Sequence, residues 1–204
     1  MQSPAAYRVS RETQEALDHY LCLLAQWQKR INLVGPSTVP DARARHIDDS
    51  LRLFELYRQP LVWADIGSGA GFPGLVTAIC LKELGDGWVH LVESNNKKAA
   101  FLRQVILETN ARASVHVVRI ESSYDRVGPV QAVSARALSD LSDLLELSFP
   151  WLSASGCFAA YHKGRDFERE LNEARGRFGF DLVKHDSRVA TESVILELRN
   201  VARL

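Results

Sequence analysis

The segment Asp65-Ile66-Gly67-Ser68-Gly69-Ala70-Gly71-Phe72-Pro73-Gly74 lies between the apolar run Leu61-Val62-Trp63-Ala64 and the helical pattern Leu75, Val76, Ala78, Ile79. Strand, glycine loop and helix in that order make a cradle for a nucleotide-like ligand. The glycines turn through positive φ and let a ligand approach the backbone, and Pro73 suits a first helical turn, where its missing N–H costs nothing. On its own, the Gly69-x-Gly71-x-x-Gly74 spacing also fits a dinucleotide, whose pyrophosphate would rest on the free N–H groups of the helix N-terminus. Asp65 weighs against that ligand, because like charges about 4 Å apart repel by roughly 4 kcal/mol at a surface-like dielectric. Pro73 also removes a donor. S-adenosyl-L-methionine carries an ammonium and a sulfonium, which a strand-end carboxylate and loop carbonyls favour, so it is the expected cofactor and NAD the rival.

Glu93 supports a nucleoside ligand of either kind. It ends the apolar stretch Trp88-Val89-His90-Leu91-Val92, which reads as a buried strand, and stands about 20 residues past the glycine loop, where a ribose-binding carboxylate belongs. Three further segments follow predicted strands and reach the same end of the sheet: Arg119-Ile120-Glu121, Ser134-Ala135-Arg136 and His162-Lys163-Gly164. Ile120 and Glu121 are expected beside an adenine, and Arg136 and Lys163 at the mouth of the site.

These residues need a sheet to bring them together. From Leu61 onward the pattern alternates: a strand to Ile66, a helix from Pro73, a strand 88–93, a helix from Asn96 to Asn110 and a strand 114–118. It continues with a strand from Val130 to Ser134, a helix from Asp140 to Leu147, the strand Cys157–Tyr161 and a charged helix from Asp166 to Phe178. The last apolar runs, Phe180 to Lys184 and Ser193 to Leu198, have no helix between them and are expected to pair as an antiparallel hairpin. Before Leu61, Ser10 caps a helix with the stripe Leu17, Tyr20, Leu21, Leu24, Trp27 and Ile31. A break at Gly35-Pro36 and Pro40 then precedes a second helical pattern, Ile47, Leu51 and Phe54. The expected fold is α/β, a Rossmann-like methyltransferase sheet of seven mostly parallel strands. One domain is expected over 1–204, with a helical extension over 1–60 and the cofactor-binding core over 61–204.

With 204 residues and 46% hydrophobic content, the chain can bury one sizeable core. Cys22, Cys80 and Cys157 lack metal-ligand spacing, so neither a disulfide framework nor a metal site is expected. The start, Met1-Gln2-Ser3-Pro4, carries no secretory pattern and no apolar run approaches membrane-spanning length, so a soluble cytoplasmic protein is expected. Lys plus Arg equals Asp plus Glu at 25 each, which gives no global argument for nucleic acid. Locally, seven basic residues from Lys97 to Arg136 face only Glu108, Glu121 and Asp125, and the stretch could contact phosphates.

The segments Trp27–Leu33, Arg45-His46-Ile47-Asp48-Asp49-Ser50, Asp65–Gly74, Phe101-Leu102-Arg103-Gln104 and Ser134-Ala135-Arg136-Ala137 together resemble the bacterial small-subunit ribosomal RNA guanine-N7 methyltransferases, formerly called glucose-inhibited division protein B. The resemblance runs from the first helix to the final strand. It implies methyl transfer from S-adenosyl-L-methionine to N7 of one guanine in 16S ribosomal RNA, with S-adenosyl-L-homocysteine as product and the RNA or the small subunit as partner. It also implies cofactor contacts at Gly67, Phe72, Ile120, Glu121 and Arg136, and basic positions at Lys97 and Lys163.

Combined with the residue reading, the expected cofactor set is Asp65, Gly67, Gly69, Gly71, Phe72, Glu93, Ile120, Glu121 and Arg136. Arg136 would orient the base or a phosphate, His46 would position it, and Lys163 would act at the mouth of the site. Lys97, Lys98, Arg119 and Lys163 would meet RNA, and the enzyme would act as a monomer. Val34, Asp48 and the pair Ser193-Val194 depart from the family pattern, where Thr, an apolar residue and Arg-His are usual. Guanine N7 bears a lone pair and no proton, so the chemistry needs no general base. An NAD-dependent oxidoreductase and a non-catalytic RNA-binding module are the alternatives.

Overall fold

The computed structural model describes residues 9–187 and 193–204. The start Met1–Pro4 therefore lies outside the described residues. A seven-stranded sheet has the order β3-β2-β1-β4-β5-β7-β6. Its strands are β1 (Val62–Ile66), β2 (Trp88–Val92), β3 (Ala113–His116), β4 (Ala132–Arg136), β5 (Phe158–Lys163), β6 (Phe178–Asp186) and β7 (Val194–Arg203). The first five are mutually parallel, and β7 runs antiparallel to both β5 and β6, which is the expected hairpin. Chain order reverses between β1 and β4, so the crevice above their C-terminal ends is where such a sheet binds ligands.

The helices are α1 (Arg11–Gln28), α2 (Asp49–Leu56), α3 (Gly74–Leu84), α4 (Asn96–Thr109), α5 (Tyr124–Val127), α6 (Leu141–Leu152) and α7 (Phe167–Arg175). Alternation along β1 sends Trp63 to the face covered by α1, α3 and α4, and Ala64 and Ile66 to the face covered by α6 and α7. Asp65 shares the side of Trp63, and that parity decides its place in the site.

Ser10 caps α1 as expected, its Oγ accepting from the Thr13 N–H at 3.1 Å. Leu17, Tyr20 and Leu24 are buried together with Leu23, whereas Leu21 and Trp27 are half-buried and Ile31 lies beyond the helix end. The stripe joins the same core as Phe101 and Leu75, so the helical extension is part of the body of the fold. The second pattern is also helical, with a π-helical turn over Arg43–Asp48 leading into α2.

Several boundaries move. β4 begins at Ala132 rather than Val130, because pairing with β1 sets Trp63 against Ala132 and carries Arg136 into the last strand position. β3 starts and ends earlier than expected and β5 runs on to Lys163. α6 continues to Leu152, its final turns held by the burial of Ser148, Trp151 and Leu152. α7 stops at Arg175, and Phe178 is instead the buried first residue of β6. Trp88 is not buried: at the sheet's lower edge it is 37% exposed, and its indole N–H donates to Ser114 Oγ at 3.2 Å.

Candidate active site

The chain turns sharply after β1. Ser68 N–H bonds back to Val92 O at 3.0 Å, Gly71 N–H to Ser68 O at 2.6 Å, and Leu75 N–H to Gly71 O at 2.7 Å, which starts α3. Gly67, Gly69 and Gly71 all have positive φ. At Gly67 a Cβ would also stand 2.6 Å from Leu138 Cδ1, whereas at Gly69 it would meet only the Gly67 carbonyl at 3.7 Å. Glu93 ties β2 to this loop: one carboxylate oxygen accepts from the Gly69 N–H at 2.9 Å and the other from the Asn95 N–H at 2.7 Å.

Above the loop lies a cavity of about 560 Å³. Gly67, Gly69, Phe72, Glu93, Ile120, Glu121, Arg136 and His46 all border it, as do Lys98 and Arg119. Most of the residues that the sequence singles out thus border one space. Sequence reasoning missed part of the wall, where Leu33 to Gly35 and Thr38 line the cavity. Leu33 and Val34 stood in or beside a segment that carries the family resemblance, and Gly35 and Thr38 in a break between two helices, but none of these signals pointed to a cavity wall.

Asp65 stands elsewhere. It is 1% exposed and lies beneath the loop rather than on the cavity wall. Its Oδ1 accepts from Ser134 Oγ at 2.7 Å across the β1–β4 pair, while Oδ2 has no hydrogen-bond partner among the described residues and packs against Gly74, where a Cβ would fall 2.6 Å away. Burial pushes this carboxyl up from 3.8 to about 6, against the lowering effect of the Ser134 hydroxyl. A direct contact between Asp65 and a ligand is therefore replaced by support of the loop from below. Gly71 is likewise off the wall, its α-carbon turned toward Leu75 and the Tyr20 hydroxyl.

The loop is gripped from the N-terminal side. Phe72 stacks with Tyr20 of α1, at 5.1 Å between ring centroids, and with His46, at 4.9 Å. The Tyr20 hydroxyl donates to the Ala70 carbonyl. Sequence reasoning took Tyr20 as a core residue, and the polar tip of its ring was the only sign of this second contact.

Arg136 packs its guanidinium 5.1 Å above Phe72. It donates to the Arg45 carbonyl at 3.1 Å, faces Asp49 Oδ2 at 3.4 Å and donates to His46 Nδ1 at 2.8 Å. Because a guanidinium only donates, His46 Nδ1 must accept; the proton then sits on Nε2 and is given to Thr38 Oγ1 at 3.0 Å. Burial and the adjacent Arg136 charge hold His46 down at about 4, so it is neutral near pH 7 and has no free nitrogen for proton transfer. The next residue, Ala137, has a φ of 51°, a left-handed conformation that an Ala side chain disfavours.

Other expected residues do not converge here. Lys163 is nearly buried, paired with Glu170 at 2.5 Å and donating to the Ser139 carbonyl at 2.8 Å, so it fastens β5 to α7 and the β4–α6 loop instead of standing free at the mouth. Lys97, in the first turn of α4, is exposed and off the cavity wall, and Asn95 Oδ1 caps the backbone N–H groups of Lys97 and Lys98. Arg119 is exposed at the rim, 3.8 Å from Glu121. The basic stretch is not one surface: Arg112 bonds Gly87 O at the opposite end of the sheet. Asp48, unusual in its motif, is exposed and pairs with Arg43 at 3.4 Å, so polarity costs nothing there. Among the described residues there is no cluster of His, Cys, Asp or Glu suited to a metal ion, and no helix is long and apolar enough to cross a membrane.

Comparison with known proteins follows the same lines. The family described as rRNA small subunit methyltransferase G matches residues 13–198. A ribosomal RNA small subunit methyltransferase G of Rhizobium leguminosarum bv. trifolii is 58% identical over 198 residues, covering 97% of each chain. Its namesake in Sinorhizobium fredii is 54% identical, covering 97% of this chain and 94% of that one. Among solved structures, magnesium protoporphyrin IX methyltransferase from Synechocystis, with bound SAM, superposes with a TM-score of 0.59 at 11% identity, covering 97% of this chain and all of that one. A ribosomal protein L11 methylase from Lactobacillus delbrueckii gives 0.56 at 17% identity, covering 76% of each. These two likenesses establish the methyltransferase-type fold alone.

Proposed function

This chain belongs to the rRNA small subunit methyltransferase G family, and from that premise we propose that it transfers the methyl group of S-adenosyl-L-methionine to N7 of one guanine in 16S ribosomal RNA, leaving S-adenosyl-L-homocysteine. The observation that carries the reading is the cavity over the glycine loop. Its volume suits a ligand of this size, Gly67 and Gly69 keep side chains off its floor, and each oxygen of Glu93 retains a lone pair beyond its backbone bond. The residues present thus fit the cofactor.

When bound, the cofactor supplies a sulfonium methyl that a lone pair can displace. Glu93 holds ribose hydroxyls, Ile120 gives an apolar face and Glu121 backbone polarity to the adenine, and the loop from Gly67 to Gly71 takes the amino-acid end. Phe72 keeps the loop in place. Asp65 acts from below, its charge favouring a cation in the loop above. Arg136 orients the acceptor, and His46 orients Arg136 by accepting its N–H. Neither needs to move a proton, since N7 carries none. Positioning of this kind lowers a barrier by about 7–11 kcal/mol. The exposed Lys97 and Arg119 and the half-buried Lys98 contact RNA phosphates near the rim; Lys163 contributes through the ion pair that shapes the mouth.

An A-form helix hides the N7 edge in its deep groove, so the target guanine is unpaired or flipped out. We place the reaction in the cytoplasm, with a monomeric enzyme. Labelled S-adenosylmethionine and small subunits lacking the modification test the assignment. Label recovered as 7-methylguanine at a single 16S position is the expected result; absence of transfer, or thermal stabilisation by NAD in place of adenosylhomocysteine, would overturn it.

A further inference from the structure

The wall made by His46, Arg136 and Ala137 has a second side. There a cavity of about 490 Å³ opens between the C-terminal ends of β4 and β5, the start of α2 and the end of β6. Two buried carboxylates line it. Glu170 is occupied by Lys163 and by the Leu141 N–H at 2.8 Å. Asp49, 7% exposed, is less fully engaged: Oδ1 accepts from Ser187 Oγ at 2.8 Å and Oδ2 faces Arg136 Nη1 at 3.4 Å, which leaves an acceptor lone pair on each oxygen. His162 is fixed by donating Nε2–H to the Asp49 carbonyl at 3.2 Å. Arg136 has five N–H donors, and its three contacts leave two of them available to a ligand. A half-buried donor and a buried acceptor thus stand side by side in a cavity adjoining the cofactor's.

Resting on the guanine-methylation reading, we propose that this second cavity receives the acceptor base and that Arg136 and Asp49 read its O6, N1–H and amino groups, with Asp49 as the specificity-determining residue. Going round the purine, guanine presents N7, O6, N1–H and the 2-amino group in that order. Arg136 donates to O6 alone; a bidentate grip on O6 and N7 would occupy the lone pair that must react. Asp49 accepts from N1–H and the amine. N7, next to O6, is left free on the side of Ala137 and the cofactor. Adenine reverses the pattern, setting an amine against Arg136 and a bare N1 against Asp49, and each mismatch leaves a buried group unpaired.

The same carboxylate assists the reaction. As the N7 lone pair forms the new N–C bond, the S–C bond breaks with its electron pair going to sulfur, and the positive charge passes to the purine with no proton released. A carboxylate beside N1–H therefore attracts the base more strongly in the transition state than before it.

The test uses small subunits reconstituted with guanosine or inosine at the target nucleotide, the enzyme and labelled S-adenosylmethionine under single-turnover conditions. Inosine keeps N7, O6 and N1–H and lacks only the amine. The wild type should methylate inosine roughly ten- to a hundredfold more slowly, the loss expected for one hydrogen bond to a charged group. Asp49→Ala and Asp49→Asn should be slow on guanosine and nearly indifferent to the exchange, while binding adenosylhomocysteine by calorimetry as a check on folding. Equal wild-type rates on the two RNAs overturn the proposal whether or not the variants fold, and so does a folded Asp49 variant that keeps the wild-type ratio. If the wild type transfers to neither RNA, it is the methylation reading that fails, and this one with it.

Discussion

Replacing Asp65 by Asn should make the protein more stable at neutral pH, although Asp65 lies under the ligand loop and is hydrogen-bonded to Ser134. In the folded chain burial holds this carboxyl at about 6, against 3.8 when exposed. Between those values the folded state keeps a proton that the unfolded state has lost, so stability falls as pH rises through the window and stays lower above it. At about 1.4 kcal/mol per pH unit, a gap of roughly two units amounts to about 3 kcal/mol. Asn is neutral throughout and still accepts from the Ser134 hydroxyl. Other titrations are common to both proteins and cancel in the difference. Urea unfolding of wild type and Asp65→Asn from pH 4 to pH 7.5 should therefore show the variant gaining about 3 kcal/mol relative to wild type, most of it between pH 4 and 6. A difference that stays flat across that range would refute the picture of a carboxylate buried with one oxygen unpartnered.

Glu93→Gln should weaken S-adenosylmethionine binding by about 1.5–3 kcal/mol, the range for charge-assisted hydrogen bonds; calorimetry would read this as a rise in Kd of tenfold or more. His46 is held at about 4, so once Asp65, which itself titrates at about 6, is replaced by Asn, the rate of methyl transfer should show no inflection near pH 6.5, where an unperturbed imidazole titrates; a pH profile of Asp65→Asn from 5.5 to 8 checks this. Lys163→Met leaves Glu170 buried without its cation and should cost about 3 kcal/mol or more in urea unfolding, while adenosylhomocysteine affinity, measured at a temperature where the variant is folded, stays near the wild-type value.

The β1–loop–α3 unit was legible because its information is local: glycines where φ is positive, an apolar strand before them and a helical period after. Glu93 was legible for the same reason, since its distance from the loop is fixed by one βαβ unit. Arg136 was recognised as functional but placed after its strand, because β4's bounds depend on pairing with β1 and not on its own composition. The site of Asp65 needed the parity of β1, which sends it under the loop with Trp63. Lys163 looked free because its partner, Glu170, is brought to it only when α7 docks. Asp49 gave no signal of its own: an acidic residue at a helix start reads as an ordinary first-turn carboxylate, and only the fold sets it beside Arg136.

His46 touches both halves of the enzyme, with one face against Phe72 and one ring nitrogen on Arg136. A base that draws Arg136 toward itself pulls on the ring that braces the donor loop, and a filled donor loop in turn fixes the ring that aims Arg136. Thermodynamic linkage makes such coupling symmetrical. On the proposed reading the two substrates are coupled through this imidazole and through the direct packing of Arg136 on Phe72, so that an empty partner site would be felt as slack in the occupied one.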